Sequence, residues 1–263
     1  METWCKVNNG KIKEFERVEQ QIFRRILKAH SETAIEALYL ELGIIPLRYQ
    51  LMKRRLLYCY SLMNRNDSET IKQVLFTQMK LTLKGDFWEQ CILNMQEINI
   101  DFNSLFTLKQ NSAKTIIENK IKIAAYAYLI ELANNHPKTV SHLYNNVDGM
   151  QYMKDCRFTT DQVNILFRFR TRMADVRNNF RNKYNNDALC PLCSAEQDTQ
   201  MHLFNCQKII QSSNNSNMFM DDEGTEIQYG DIFQNDTNKL LKVANVLCKI
   251  MQTRKDIIEH QEL

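Results

Sequence analysis

Very little in this chain forces the backbone to turn. Six glycines and three prolines are spread over 263 residues, which excludes collagen-like and Pro/Gly-rich classes and leaves long stretches free to be helical. Long apolar runs are also missing. The longest uncharged one, IAAYAYLI from Ile123 to Ile130, falls far short of the roughly 20 residues that cross a bilayer. Residues 1–20 hold no signal-peptide core, so no membrane partner is expected. Strong net charge is absent too. A balance of +3 does not by itself mark a nucleic-acid partner, and its distribution matters more. Paired cysteine spacing is missing at Cys5, Cys59, Cys91, Cys156 and Cys248. Single thiols of this kind point to a reducing, intracellular compartment, nuclear or cytoplasmic. Hydrophobic residues still make up 44% of the chain, enough for a core.

One stretch breaks the pattern of scattered cysteines. CPLCSAEQDTQMHLFNC, from Cys190 to Cys206, holds three cysteines and a histidine. Zn2+ takes four tetrahedral sulfur or nitrogen ligands, and Cys190, Cys193, His202 and Cys206 supply such a set with no position left open. A two-residue gap lets both thiolates of a tight turn face one ion, and Pro191 suits the turn. His202 and Cys206, four apart, share one face of a helix that Asp198 or Thr199 can cap. Leu192, Met201, Leu203 and Phe204 are candidates for a small core around the ion. A filled site is structural, since nothing is left to bind or activate a water.

Elsewhere the periodicity is helical, and the chain is expected to be all-α. Phe15, Val18, Ile22 and Ile26 form the apolar stripe of an amphipathic helix over 14–28. Ser31 is placed to cap a second helix and Gly43 to end it. Pro46 suits the first turn of a third, Leu47 to Met63. Asp86 with Glu89, and Thr159 with Gln162, are capping-box patterns. Further helices are expected over 114–134, 160–183 and 237–259, the last with Leu240, Leu241, Ala244, Leu247, Cys248 and Met251 inward. Residues 211–224 are polar and read as loop. The charge is uneven: 154–187 carries eight Lys/Arg against four Asp, and the segment from 211 onward carries five basic against nine acidic residues. Arg170, Arg177 and Arg181 share one face of a continuous helix over 160–183, with Arg168 and Arg172 beside them. Such a face can neutralise phosphates or can simply be solvated.

The order of these segments resembles the region downstream of the polymerase core in non-LTR (LINE-type) retrotransposon reverse transcriptases. The likeness rests on METWCKV, ERVEQQIFRRIL, TAIEALYLELGIIPLRYQLMKRRLLY, KGDFWEQ, LFRFRTRM and CPLC…DTQMHLFNC. The resemblance implies a thumb-like helical region over 1–110, connecting helices with a basic helix over 111–187, a CCHC zinc knuckle over 188–210, and a polar loop with a C-terminal helix over 211–263. It implies RNA or DNA as partner, together with the rest of the reverse transcriptase polyprotein, and no small-molecule substrate. Arg24, Arg25, Lys53, Arg54, Arg55, Arg168, Arg170, Arg172, Arg177 and Arg181 become candidate phosphate contacts.

The departure from the family is equally plain. A reverse transcriptase holds two metal ions on palm carboxylates presented by an apolar β-hairpin. The only similar string, FMDD from Phe219 to Asp222, follows the knuckle instead of preceding it and lacks apolar flanks. The expectation is therefore a non-catalytic C-terminal piece of such a polyprotein, gripping nucleic acid. The alternatives are a zinc-stapled helical scaffold for protein partners, or a decayed element without function.

Overall fold

The computed structural model of the protein describes residues 9–81, 84–136, 144, 148–184, 187–212, 219–221 and 223–261. Among these residues there are eleven α-helices and no strand: α1 (Asn9–Ile26), α2 (Ile35–Leu42), α3 (Leu47–Met63), α4 (Thr70–Leu81), α5 (Phe87–Glu97), α6 (Phe102–Phe106), α7 (Gln110–Asn135), α8 (Thr160–Arg170), α9 (His202–Asn205), α10 (Gln207–Ser212) and α11 (Thr237–Gln261). Short 3-10 segments lie at Gln151–Met153, Arg177–Tyr184 and Tyr229–Phe233. Extended pairing among the described residues is limited to two isolated bridges, Leu189 with Gln197 and Met220 with Glu226. The protein is all-α. No helix among the described residues is long and apolar enough to cross a membrane. The METWCKV segment and Cys5 lie outside the described residues.

The chain divides into two compact units, and neither is continuous in sequence. One comprises Met1–Gln21 with Ile44–Glu131, the other Ile22–Gly43 with Leu132–Leu263.

In the first unit, α3 starts where Pro46, in extended backbone, hands over to Leu47. Its apolar positions recur at three- and four-residue steps: Tyr49, Met52, Leu56 and Cys59, all buried. They join Trp88, Cys91 and Met95 of α5 and Ala113, Ile117, Ile121 and Ala125 of α7 in one core. Each fully buried Ile or Leu here contributes about 1.5–3 kcal/mol of transfer free energy. Asp86 caps α5 by accepting the Glu89 amide at 2.7 Å, and the Glu89 carboxylate reaches back to the amide of Gly85, one residue before the usual capping-box donor.

In the second unit α8 packs along α11. Thr159 caps α8 in a full capping box with Gln162. Leu166, Phe167 and Phe169 of α8 and Leu240, Val243, Ala244, Leu247 and Ile250 of α11 are buried. The inner face of α11 is thus rotated from the expected one, with Leu241, Cys248 and Met251 only half-buried. Glu36 through Glu41 of α2 are all buried. Gly43 ends α2 in the left-handed region (φ 65°), and a Cβ there would meet the Asp148 carbonyl oxygen at 2.2 Å. Only glycine satisfies both demands.

A buried ion pair joins these elements. Arg170 and Glu41 are both fully buried, with Nε donating to Oε1 at 3.0 Å. Tyr144 and Tyr152 donate their hydroxyls to the same carboxylate at 3.1 and 2.8 Å. Arg170 also donates to the carbonyls of Ile232 and Gln234. Burial and the neighbouring Glu41 carboxylate raise both tyrosine hydroxyls well above their ordinary range, so they stay protonated as donors.

Several expectations are corrected. Ser31 does not cap α2; Ala34 occupies that position without a side-chain bond. The stripe on α1 is half-exposed at Phe15, Val18, Ile22 and Ile26 (49–62%), and what the segment buries is Gln20 and, just past the helix, Leu27. The helix expected over 160–183 stops at Arg170. There Met173 N bonds to Arg168 O at 2.7 Å and Arg172 N to Phe169 O at 3.1 Å, with Arg172 at φ 56°. This is a Schellman closure with arginine where glycine is usual.

Candidate metal centre

The loop from Asp187 to Met201 is shaped by backbone amides turned onto the cysteines. Ser194 N bonds to Cys190 O and Cys190 N to Glu196 O, both at 2.8 Å. The turn places Cys190 and Cys193 on one side, and the short helix α9 presents His202 opposite them. Thr199 Oγ1 accepts the His202 amide at 3.0 Å, so Thr199 is the residue that caps this turn. Cys206 follows α9 in extended backbone. The four expected ligands converge: one Sγ or ring nitrogen from each of Cys190, Cys193, His202 and Cys206 lies within 4.8 Å of the others. Cys190 Sγ is 3.9 Å from Cys206 Sγ, and Cys193 Sγ is 3.4 Å from His202 Nε2. The cluster is able to bind a metal ion.

The protonation chemistry suits that role. Burial opposes ionisation of Cys193, but the amides of Ala195 and Glu196 and side-chain bonds from His202 and Cys190 outweigh it and bring the thiol down to about 7. Burial pushes the Cys190 thiol up to about 11 against the amides of Cys193 and Leu192. An ion arriving here must displace the Cys190 proton, as metal binding to thiols generally does. His202 Nδ1 lies 3.0 Å from Glu196 Oε2. A carboxylate on one ring nitrogen fixes the tautomer that leaves the other, Nε2, free to ligate.

The core around the cluster is Leu192, Leu203 and Phe204, all buried. Met201 does not join it and is 59% exposed.

Residues the spacing did not single out as partners tie the cluster down. Asp198, which offered itself as a cap for α9, is instead fully buried and takes Arg254 of α11 in a two-pronged ion pair at 2.8 and 2.6 Å. Its Oδ2 also accepts the Arg177 amide at 2.7 Å, at the start of the 3-10 segment. Gln200 Nε2 donates to the Phe169 carbonyl at 3.0 Å, in the last turn of α8. The run Asp198–Thr199–Gln200 therefore holds α11, α9 and α8 in turn. The available signal was the DTQ string itself; its partners, up to 56 residues away, were not legible.

The candidate phosphate contacts are divided between the two units. Lys53, Arg54 and Arg55 belong to the first unit, and the other seven to the second. Arg55 donates to Asn94 Oδ1 at 2.7 Å. Arg24 is half-buried against the Thr33 carbonyl, while Arg25 is exposed. Arg168 donates Nε to the Lys28 carbonyl at 3.1 Å. Arg172 is exposed. Arg177 pairs with Asp187 at 2.8 Å and lies over the Tyr184 ring. The Arg181 side chain lies outside the described residues. Arg170 is a correction: with 0% of its side chain exposed and Glu41 as counter-ion, it cannot meet a phosphate. The end of α8 at Arg170 also removes the single face expected to carry Arg170, Arg177 and Arg181.

Asp221 of the FMDD string spends its carboxylate on the amides of Glu223 and Thr225 and on Lys242 at 3.0 Å. Asp222 lies outside the described residues.

No family model, curated protein or solved structure matches the chain.

Proposed function

We propose that the cluster is a structural zinc site and that the chain binds RNA or DNA as a non-catalytic, C-terminal piece of a LINE-type reverse transcriptase. The observation that carries the metal assignment is the edge lengths of the donor set. A tetrahedral Zn2+ with ordinary bond lengths separates two sulfurs by about 3.8 Å and a sulfur from an imidazole nitrogen by about 3.5 Å. The corresponding separations here are 3.9 and 3.4 Å. The nucleic-acid role rests on the ordered resemblance of the quoted segments, with exposed Arg172 and its neighbour Arg168 at the end of α8 among the cations that would serve it. Asp221, occupied as a turn anchor, favours a chain without polymerase chemistry of its own.

The test is the salt dependence of binding to unrelated RNA and DNA oligonucleotides. Phosphate contacts release counterions, so affinity should fall steeply with salt and show little base preference. Arg168→Gln with Arg172→Gln should shrink the log–log slope by up to about 2 units. Lys239→Gln with Lys249→Gln should do much less, since Lys239 already faces Asp231 at 2.7 Å. Equal effects from both pairs would mean that general charge is at work. A zinc-stapled protein scaffold is the second reading, favoured by the exposure of Leu189 and Met201 (45% and 59%) beside the cluster. Absence of binding at low salt would select it.

A further inference from the structure

We infer that the Asp198–Gln200 run makes the metal site a clamp on the end of α8 and on α11, so that metal occupancy sets the local order of both. The inference rests on the metal reading of the cluster. It adds that helices which supply none of the four ligands depend on the ion.

The geometry is specific. Asp198 lies between Cys193 and His202 in sequence, inside the loop that an ion would tie. Apart from the single bridge of Leu189 with Gln197, that loop has no regular structure to hold it. So small a segment is fixed chiefly by whatever joins its ligands. Yet the loop supplies the counter-ion of Arg254, whose side chain is 7% exposed against 0% for Asp198. It supplies the acceptor for the Arg177 amide and the donor for the Phe169 carbonyl. Asp198 is itself held by main-chain bonds, N to Ala188 O at 2.6 Å and O from Asn178 N at 3.1 Å. Release the loop, and Arg254 becomes a buried cation without its carboxylate. A charge in that position is not tolerated, so α11 has to open around it. Phe169 O keeps the Arg172 amide of the Schellman closure but loses its Gln200 side-chain donor as well.

The experiment is amide hydrogen exchange, read by mass spectrometry, on the full chain loaded with Zn2+ and on the same chain after chelation. Chelation should speed exchange at residues 250–258 and 167–173 at least about tenfold, and leave residues 113–125 of α7 unchanged. The control variant is Asp198→Asn with Arg254→Met, which removes both buried charges together and so spares the fold the cost of one left alone. It should still bind one Zn2+ per chain, within about threefold of the parent affinity. Its exchange at 250–258 should no longer respond to chelation. If chelation speeds exchange at 190–206 and leaves 250–258 untouched, the clamp is wrong and the metal site stands. A response at 250–258 that persists in the double variant also overturns the clamp. A chain that takes up no Zn2+ overturns the metal reading and the clamp together.

Discussion

Glu196 shows how a single exposed side chain can matter to a buried centre. Its carboxylate is 70% exposed, yet it sits 3.0 Å from the ring nitrogen of His202 that faces away from Cys193. Losing such an outer partner commonly weakens metal binding about 10–100-fold. Glu196→Ala should therefore loosen Zn2+ by that factor in competition with a chromophoric chelator, whereas Cys193→Ser with His202→Ala should abolish uptake. An unchanged affinity in Glu196→Ala would reduce the Glu196 bond to an incidental surface contact. Arg170 shows the converse: a residue whose charge invites a phosphate role is spent inside the fold. Removing one partner of such a pair typically costs about 3–5 kcal/mol, because the other charge is left buried. The Arg170–Glu41 pair is therefore structural in kind, whatever the chain binds.

At the scale of elements, the ends of the helices decide the architecture. Among the described residues, three helices close with residues in the left-handed region that are not glycine: Lys28 after α1, Asn99 after α5 and Arg172 after α8. Each carries a backbone cost of about 1 kcal/mol relative to glycine, and each is held by main-chain bonds that reach back across the last turn. Two glycines with similar φ separate the backbone cost from the steric one. A Cβ at Gly85 (φ 80°) would meet nothing within 4 Å, whereas at Gly43 (φ 65°) it would strike the Asp148 carbonyl at 2.2 Å. Gly85→Ala should cost about 1 kcal/mol. Gly43→Ala should cost about 3 kcal/mol or more, since two backbone segments must part. Urea midpoints of the two variants check the difference, and equal losses would mean that the Gly43–Asp148 approach relaxes freely.

For the whole molecule, the decisive question is whether a helical chain with a metal loop does chemistry or only holds. Two-metal phosphoryl transfer needs carboxylates free to bind ions. Asp221 is engaged by two amides and Lys242. Primer extension on a primed RNA template with Mg2+ or Mn2+ should give no product from this chain alone. Product that disappears in Asp221→Ala would reverse that conclusion.

What the sequence determined by itself was local. Helix class, the start of α3 at Pro46, the Asp86 and Thr159 caps, the end of α2 at Gly43 and the four-ligand spacing all depend on residues within a few positions of one another, and such short-range physics is written in the string. The end of α8 was not legible, because Arg172 occupies a position where only glycine would have been a signal. The tertiary structure alone decided which charges are available. Arg170 and Arg254 read like any other arginine on a helix until folding sets Glu41 and Asp198 against them from 129 and 56 residues away. Burial and counter-ion are properties of that meeting, and they separate a cation that can face a phosphate from one that holds the protein together.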